Sequence, residues 1–312
     1  MATNGSNGTS KPTAVQKLRA MIADKNRVIA CPGVYDGYTA RIALQEGCDV
    51  LYMTGAGTTM SVLGMADMGV ATLNDMKTNA EMIANLNPDI PLIADADTGY
   101  GGAIMVGRTV TQYMRAGVSG LHIEDQVQTK RCGHLKGKEL VDTSVYASRI
   151  KAAVMAREAA RGDIVIIART DALQSLGYEG AMERMRAAVK EGADVAFLEG
   201  VTSKEMAEQF CKDMAPTPCL YNNVAGGLSP DFTAQEAKGV GYKIIIFPAL
   251  VMEVVYPAVR KAVREMLDEG KPKSVEKSGY RYSPKELFEV CGLKEAMDFD
   301  VAAGGTAYSN GA

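Results

Sequence analysis

Histidine is scarce in this chain of 312 residues: only His122 and His134 occur, so a histidine-rich zinc or iron centre has no ligands to draw on. Apolar runs approaching the roughly 20 residues that span a bilayer are missing, and no membrane partner is expected. A basic surplus is missing too. The net charge of −3 and pI near 5.6 leave no electrostatic reason to expect nucleic acid or an anionic membrane. The six cysteines (31, 48, 132, 211, 219, 291) lack metal-type or redox-type spacing. A reduced, intracellular protein is expected, with Cys31, Cys48 and Cys219 in the core. Neither G-x-G-x-x-G after the first apolar run nor G-x-x-x-x-G-K-[ST] occurs, which removes the usual nucleotide-phosphate loops. Residues 1–13 are polar and glycine-rich, with no apolar or arginine-rich targeting pattern. They are expected to form a disordered tail, with the protein in the cytoplasm.

What the chain does contain is a repeat of eight short apolar runs, at 28–33, 49–55, 91–97, 120–125, 164–171, 194–200, 218–223 and 242–248. Their apolarity is continuous rather than alternating, as in parallel strands buried on both faces. Segments rich in Ala, Glu, Lys, Arg and Met separate them: 38–46, 72–84, 103–116, 144–160, 178–191 and 203–214. Several of these end in glycine, the expected helix stop. Eight strand-then-helix units predict a single (β/α)8 TIM barrel over 14–269; a doubly wound open sheet is the competing arrangement. A long amphipathic helix is expected over 252–269 and a linker from Gly270 to Ser274. A further helix is expected to start at Ser283-Pro284, within a C-terminal extension over 270–312.

In such a barrel the C-terminal strand ends converge on one face. Those ends carry Thr54-Gly55-Ala56, Asp95 and Asp97, Glu124, Arg169 and Asp171, Glu199, Asn222 and Pro248. Asp95 and Asp97, at alternate positions, are expected to point the same way from one strand. With Glu124 they suit Mg2+, or Mn2+ in its place, which prefers carboxylate and water oxygens. Asp67 either holds metal-bound water or caps the helix at Thr72. Arg169 either clamps a substrate carboxylate, pairs with Glu199 or Asp171, or does both. Thr54, Gly55 and Ala56 offer a hydroxyl and open backbone N–H groups to a carboxylate. In Lys130-Arg-Cys-Gly-His134, cationic neighbours are expected to lower the Cys132 pKa. This set suits metal-assisted C–C cleavage of a small 2-hydroxy or 2-oxo di-acid, with Cys132 returning the proton.

The Lys130–His134 loop, together with Ala94-Asp-Ala-Asp-Thr-Gly-Tyr-Gly101, Tyr52-Met-Thr-Gly-Ala56 and Ile167-Ala-Arg-Thr-Asp171, resembles the isocitrate lyase / phosphoenolpyruvate mutase superfamily over residues 14–265. The resemblance implies a Mg2+-dependent (β/α)8 barrel assembled as a homotetramer, with a helix exchanged between subunits. It also implies a cysteine loop that closes over a small carboxylic acid substrate. Cys132 would be its acid/base, with His134 beside it and Tyr52 as one choice of base. Thr54, Gly55, Ala56, Gly133, Arg169, Glu199, Asn222 and Pro248 would meet substrate, and Asp95, Asp97, Glu124 and Asp67 would serve the metal. Within the superfamily the loop is similar to that of alkylmalate and methylisocitrate lyases and of oxaloacetate acetylhydrolases. The hydrolases carry serine where this chain has Pro248, and many relatives carry glutamate where it has Ala225. Pro248 favours a lyase over a hydrolase that makes oxalate and acetate, and Ala225 departs from the usual substrate preference toward a less polar pocket that accepts an alkyl group.

Overall fold

Eight parallel strands close into a barrel in sequence order in the computed structural model, which describes residues 11–273 and 282–308. They are β1 (Ile29–Val34), β2 (Leu51–Met53), β3 (Leu92–Asp95), β4 (Gly120–Glu124), β5 (Val165–Thr170), β6 (Val195–Leu198), β7 (Cys219–Asn222) and β8 (Ile244–Phe247). β8 pairs back onto β1, with Cys31 opposite Ile246, which closes the sheet and rules out the open alternative. The helices are α1 (Ala14–Ala23), α2 (Gly37–Gln45), α3 (Gly55–Thr58), α4 (Leu73–Ala84), α5 (Ala103–Arg115) and α6 (Thr143–Ala159), followed by α7 (Leu173–Lys190), α8 (Lys204–Met214), α9 (Ala234–Val240), α10 (Leu250–Glu269), α11 (Pro284–Val290) and α12 (Leu293–Ala302). A π-turn, Thr59–Leu63, extends α3. Residues 1–10 of the expected tail, Ser274 of the expected linker and residues 309–312 lie outside the described residues.

Two apolar layers explain why the strands read as continuous runs. Ile29, Cys31, Tyr52, Ile93, Val165, Ile167, Phe197, Leu220 and Ile246 fill the barrel, while Leu51, Met53, Leu92, Ile166, Ala168, Leu198, Tyr221 and Ile245 pack outward under the helices. Side chains alternate in direction along a strand. The parity that buries Ile93, Ile167, Phe197, Leu220 and Ile246 inside therefore carries Asp95, Arg169, Glu199, Asn222 and Pro248 to the C-terminal mouth. Cys31 and Cys219 are buried as expected, whereas Cys48 is only half-buried.

Helix boundaries follow local chemistry. Thr72 caps α4 and Asp75 bonds back to the Thr72 N–H, a reciprocal cap; Ser283 and Glu286 do the same for α11. The α4 cap leaves Asp67 free of that task. α7 is bent at Gly177 (φ +67), so its regular part starts near Tyr178. α10 buries none of its residues, although Val254, Tyr256 and Leu267 are apolar. Among the described residues no helix is long and apolar enough to cross a membrane.

α1 was not anticipated from periodicity, yet it closes the bottom of the barrel. Leu18, fully buried, sits so close to Gly120 that a Cβ there would lie 3.2 Å from its methyl group. Leu18→Ala should lower stability by about 2–5 kcal/mol, the cost of a core cavity, measured by denaturant unfolding. A change below about 0.5 kcal/mol, typical of a surface site, would show that α1 is not part of the core.

Candidate active site

Three turns bring carboxylates to the mouth. β3 stops at Asp95, and Asp97 has already left the strand with φ +45. The two acids are therefore not presented by strand alternation, as the sequence suggested. A turn folds the chain back so that the Asp97 N–H donates to Asp95 Oδ1 at 2.8 Å. Left-handed backbone at a non-glycine residue is strained and is held here by the surrounding contacts. Gly55 lets the β2–α3 turn press on the same acid: a Cβ there would lie 2.3 Å from Asp95 Oδ2. Lys130 Nζ lies 2.6 Å from Asp67 Oδ1 and 2.5 Å from Asp97 Oδ1. Burial first, and then the excess of negative charge from Asp95 and Asp67, raise Asp97 to about 6 despite that lysine.

Across the mouth Arg169 is surrounded. It pairs in two-pronged fashion with Asp171 (2.9 and 3.1 Å), reaches Glu124 at 3.2 Å and lies 3.8 Å from Glu199. Its cation also stands 5.3 Å from the Phe197 ring centre. Burial raises the Asp171 carboxyl, but Arg169 and Lys138 more than reverse this and hold it at about 2. Arg169 thus takes the paired role, with Asp171 as its main partner, while still facing the cavity. Glu124 also accepts from Gln126 Nε2 at 2.9 Å.

The cysteine loop lies over this arrangement. Gly133 permits the close fit, since a Cβ there would stand 2.5 Å from an Arg169 nitrogen. Cys132 does not have the lowered pKa that its sequence neighbours suggested. Lys130 turns to Asp67 and Asp97, and Arg131 donates to the Lys136 carbonyl. Burial instead pushes the Cys132 thiol up from its usual value, partly offset by the His134 backbone N–H. A protonated thiol is a proton donor at neutral pH, not a ready nucleophile. Tyr52, considered as a base, donates to or accepts from His122 Nε2 at 2.8 Å, and burial raises its hydroxyl far above the ordinary range. His122 was missed by motif reading; burial lowers it to about 3, so it stays neutral. Its parity with Glu124 on β4 is the signal that places it inside.

The chain as a whole is similar to known proteins. The phosphoenolpyruvate phosphomutase family model matches residues 18–267. A crystal structure of 2,3-dimethylmalate lyase is 53% identical, covering 97% of this chain and 99% of its own, with a TM-score of 0.93. One of oxaloacetate acetylhydrolase with 3,3-difluorooxalacetate is 51% identical over 95% and 98%, TM-score 0.91. The 2-methylisocitrate lyase of Aeropyrum pernix is 38% identical over 278 residues, 89% of this chain and 87% of that one. A phosphonopyruvate hydrolase complexed with oxalate and Mg++ is more distant, at 26% identity, 93% and 99% coverage and TM-score 0.81. The chain belongs to the phosphoenolpyruvate mutase / isocitrate lyase superfamily. Its near relatives are named lyases or an acetylhydrolase, and it is an enzyme of that superfamily.

The cavity at the mouth has a volume of about 110 Å³. Its lining mixes the polar groups of Tyr52, Thr54, Asp67, Asp95, Cys132, His134, Arg169, Glu199 and Asn222 with Ala56, Gly133 and the apolar Phe197, Val224, Ile246, Pro248, Ala249 and Met252. Gly55, Asp97 and Glu124 stand behind the lining rather than in it. Thr54 caps α3, accepting from the Gly57 N–H, and Asn222 donates to Glu199 Oε2 at 2.9 Å. Among the described residues no three acidic, histidine or cysteine side chains form a closed metal cage. The donors nevertheless suit magnesium, which takes one or two carboxylates and keeps several waters. Asp97 Oδ1 and Glu124 Oε2 are buried against the cations of Lys130 and Arg169, and three aspartates face one lysine, an excess of negative charge that a divalent cation would neutralise.

The raised thiol has a direct consequence. Its thiolate fraction at pH 7 is below that of an ordinary cysteine, so alkylation of the Cys132 peptide by iodoacetamide, followed by mass spectrometry, should be slow at pH 7 and still be rising past pH 9. A plateau below pH 8 would show a lowered pKa instead.

Proposed function

We propose that the chain is a Mg2+-dependent carbon–carbon lyase acting on a 2-hydroxy di- or tricarboxylate that bears an alkyl group, a 2-substituted malate or a methylisocitrate-like acid. Its products would be a 2-oxo acid such as pyruvate and a carboxylate such as propionate or succinate. The observation that carries this reading is the half-buried Cys132 thiol, its pKa raised, lining one cavity together with carboxylates, Arg169 and apolar residues. Pro248 has no N–H and no polar side chain, so that part of the wall suits an alkyl substituent better than a hydrated keto carbon.

In the reaction the substrate's 2-hydroxyl gives its proton to solvent in the mouth, its C–O bond becomes a carbonyl, and the adjacent C–C bond breaks. The electron pair remains on the departing carbon, beside a carboxylate. Cys132 gives its proton to that carbon, and solvent restores the thiol. Asp95, Asp97, Glu124 and Asp67 would hold Mg2+, directly or through water, and the ion would supply positive charge to neutralise the substrate's developing negative charge. Thr54, Ala56, Gly133 and Asn222 bind substrate oxygens, Gly55 lets their turn pack on Asp95, and Arg169 and Glu199 complete the lining. His134 stands 3.8 Å from Glu199 and orients the loop. Tyr52 contributes a hydroxyl hydrogen bond rather than a phenolate. The exposed apolar face of α10 is covered in this reading by a second subunit of a cytoplasmic homotetramer with exchanged C-terminal helices. Manganese would substitute for magnesium.

The near-equal likeness to an oxaloacetate acetylhydrolase supports a second reading, release of oxalate and acetate from oxaloacetate. The enzyme with Mg2+ should release 2-oxo acid from 2,3-dimethylmalate or 2-methylisocitrate; oxalate from oxaloacetate, with no product from either alkyl acid, would establish the hydrolase. Cys132→Ser should lower turnover by about 10²–10⁴-fold with an unchanged circular dichroism spectrum, and wild-type turnover in that variant would remove the thiol from the mechanism.

A further inference from the structure

Two lysines, Lys130 and Lys138, flank Cys132 on a loop with no regular structure, and both side chains are withdrawn from water, 2% and 4% exposed. Burying an ammonium is costly unless it is paired. Each pairs with a different sector of the barrel mouth. Lys130 spans Asp67, after β2, and Asp97, after β3. Lys138 meets Asp171 Oδ1 at 3.0 Å, after β5, and donates to the Gly133 carbonyl at 2.7 Å, next to the reactive thiol. Between them Leu135 N–H donates to the Cys132 carbonyl in a tight turn at 2.9 Å.

We infer that Lys130 and Lys138 are positioning residues that clamp the Cys132 loop shut from opposite sides of the mouth. Neither needs to touch substrate. Lys138 fixes the backbone at Gly133, and Lys130 fixes the approach to Cys132 by bridging two aspartates. The side chain of Gln126 adds a weaker neutral tie, its amide bonding the Arg131 backbone at both N–H and C=O. Because Lys130 holds Asp97, one of the carboxylates proposed for magnesium, closure of the loop and cation binding share a group. The inference rests on the proposed lyase reading for its consequence in turnover, but not for the clamp itself.

Hydrogen exchange of the ligand-free protein reads the clamp without any substrate. Lys130→Met and Lys138→Met should each speed exchange of amides 128–138 by about tenfold or more over any change in the barrel amides, and speed alkylation of Cys132 to a similar degree. Lys130→Arg should restore part of the protection. Under the lyase reading kcat should fall in step with loop opening, while Cys132→Ser leaves exchange as in the wild type. Unchanged exchange and alkylation in both methionine variants, or acceleration spread evenly over the barrel, would overturn the clamp. Turnover that survives Cys132→Ser would defeat the lyase mechanism and leave the clamp standing.

Discussion

A single buried guanidinium organises the mouth of this barrel. Arg169 cannot leave water without partners, because an unpaired buried charge costs several kcal/mol. It takes them from three directions, at Asp171, Glu124 and Glu199. Each partner then carries the order outward. Glu124 holds Gln126, which holds the backbone at Arg131; Asp171 holds Lys138, which holds Gly133; Glu199 holds Asn222. Loop and mouth therefore hang from one cation at the end of β5. A short lysine in its place would leave at least one of those acids unpaired.

The opposite half of the mouth has the reverse imbalance. Asp67, Asp95 and Asp97 outnumber Lys130, and burial raises Asp97 to about 6. A divalent cation would relieve that excess. Between the two halves lies a thiol that burial keeps protonated. In the proposed lyase reaction, negative charge developing on oxygen would be met on the acidic side, with Mg2+ if bound there, and negative charge on carbon would meet an acid already carrying its proton. Val224, Ile246, Pro248 and Met252 add apolar surface to the same cavity.

Much of this was legible along the chain. Barrel topology followed from eight continuous apolar runs, because strands buried on both faces leave no polar alternation, and the strand-end residues Asp95, Glu124, Arg169, Glu199 and Asn222 followed from where the runs stop. α1 was not legible, because its core duty rests mainly on one leucine, Leu18. His122 was not either, because it sits inside an apolar run and only strand parity turns it inward.

The sequence by itself determined the fold class, the family and which residue types reach the mouth, since these depend on periodicity and on local order. Tertiary structure alone decided their charge states and partners. Lys130 neighbours Cys132 in sequence but neutralises Asp67 and Asp97 in space, so the thiol that looked acidic is held protonated. Asp95 and Asp97 looked like one strand's pair but meet through a left-handed turn. The reason is physical: a pKa and an ion pair are set by burial and by charges a few ångströms away, whichever part of the chain supplies them.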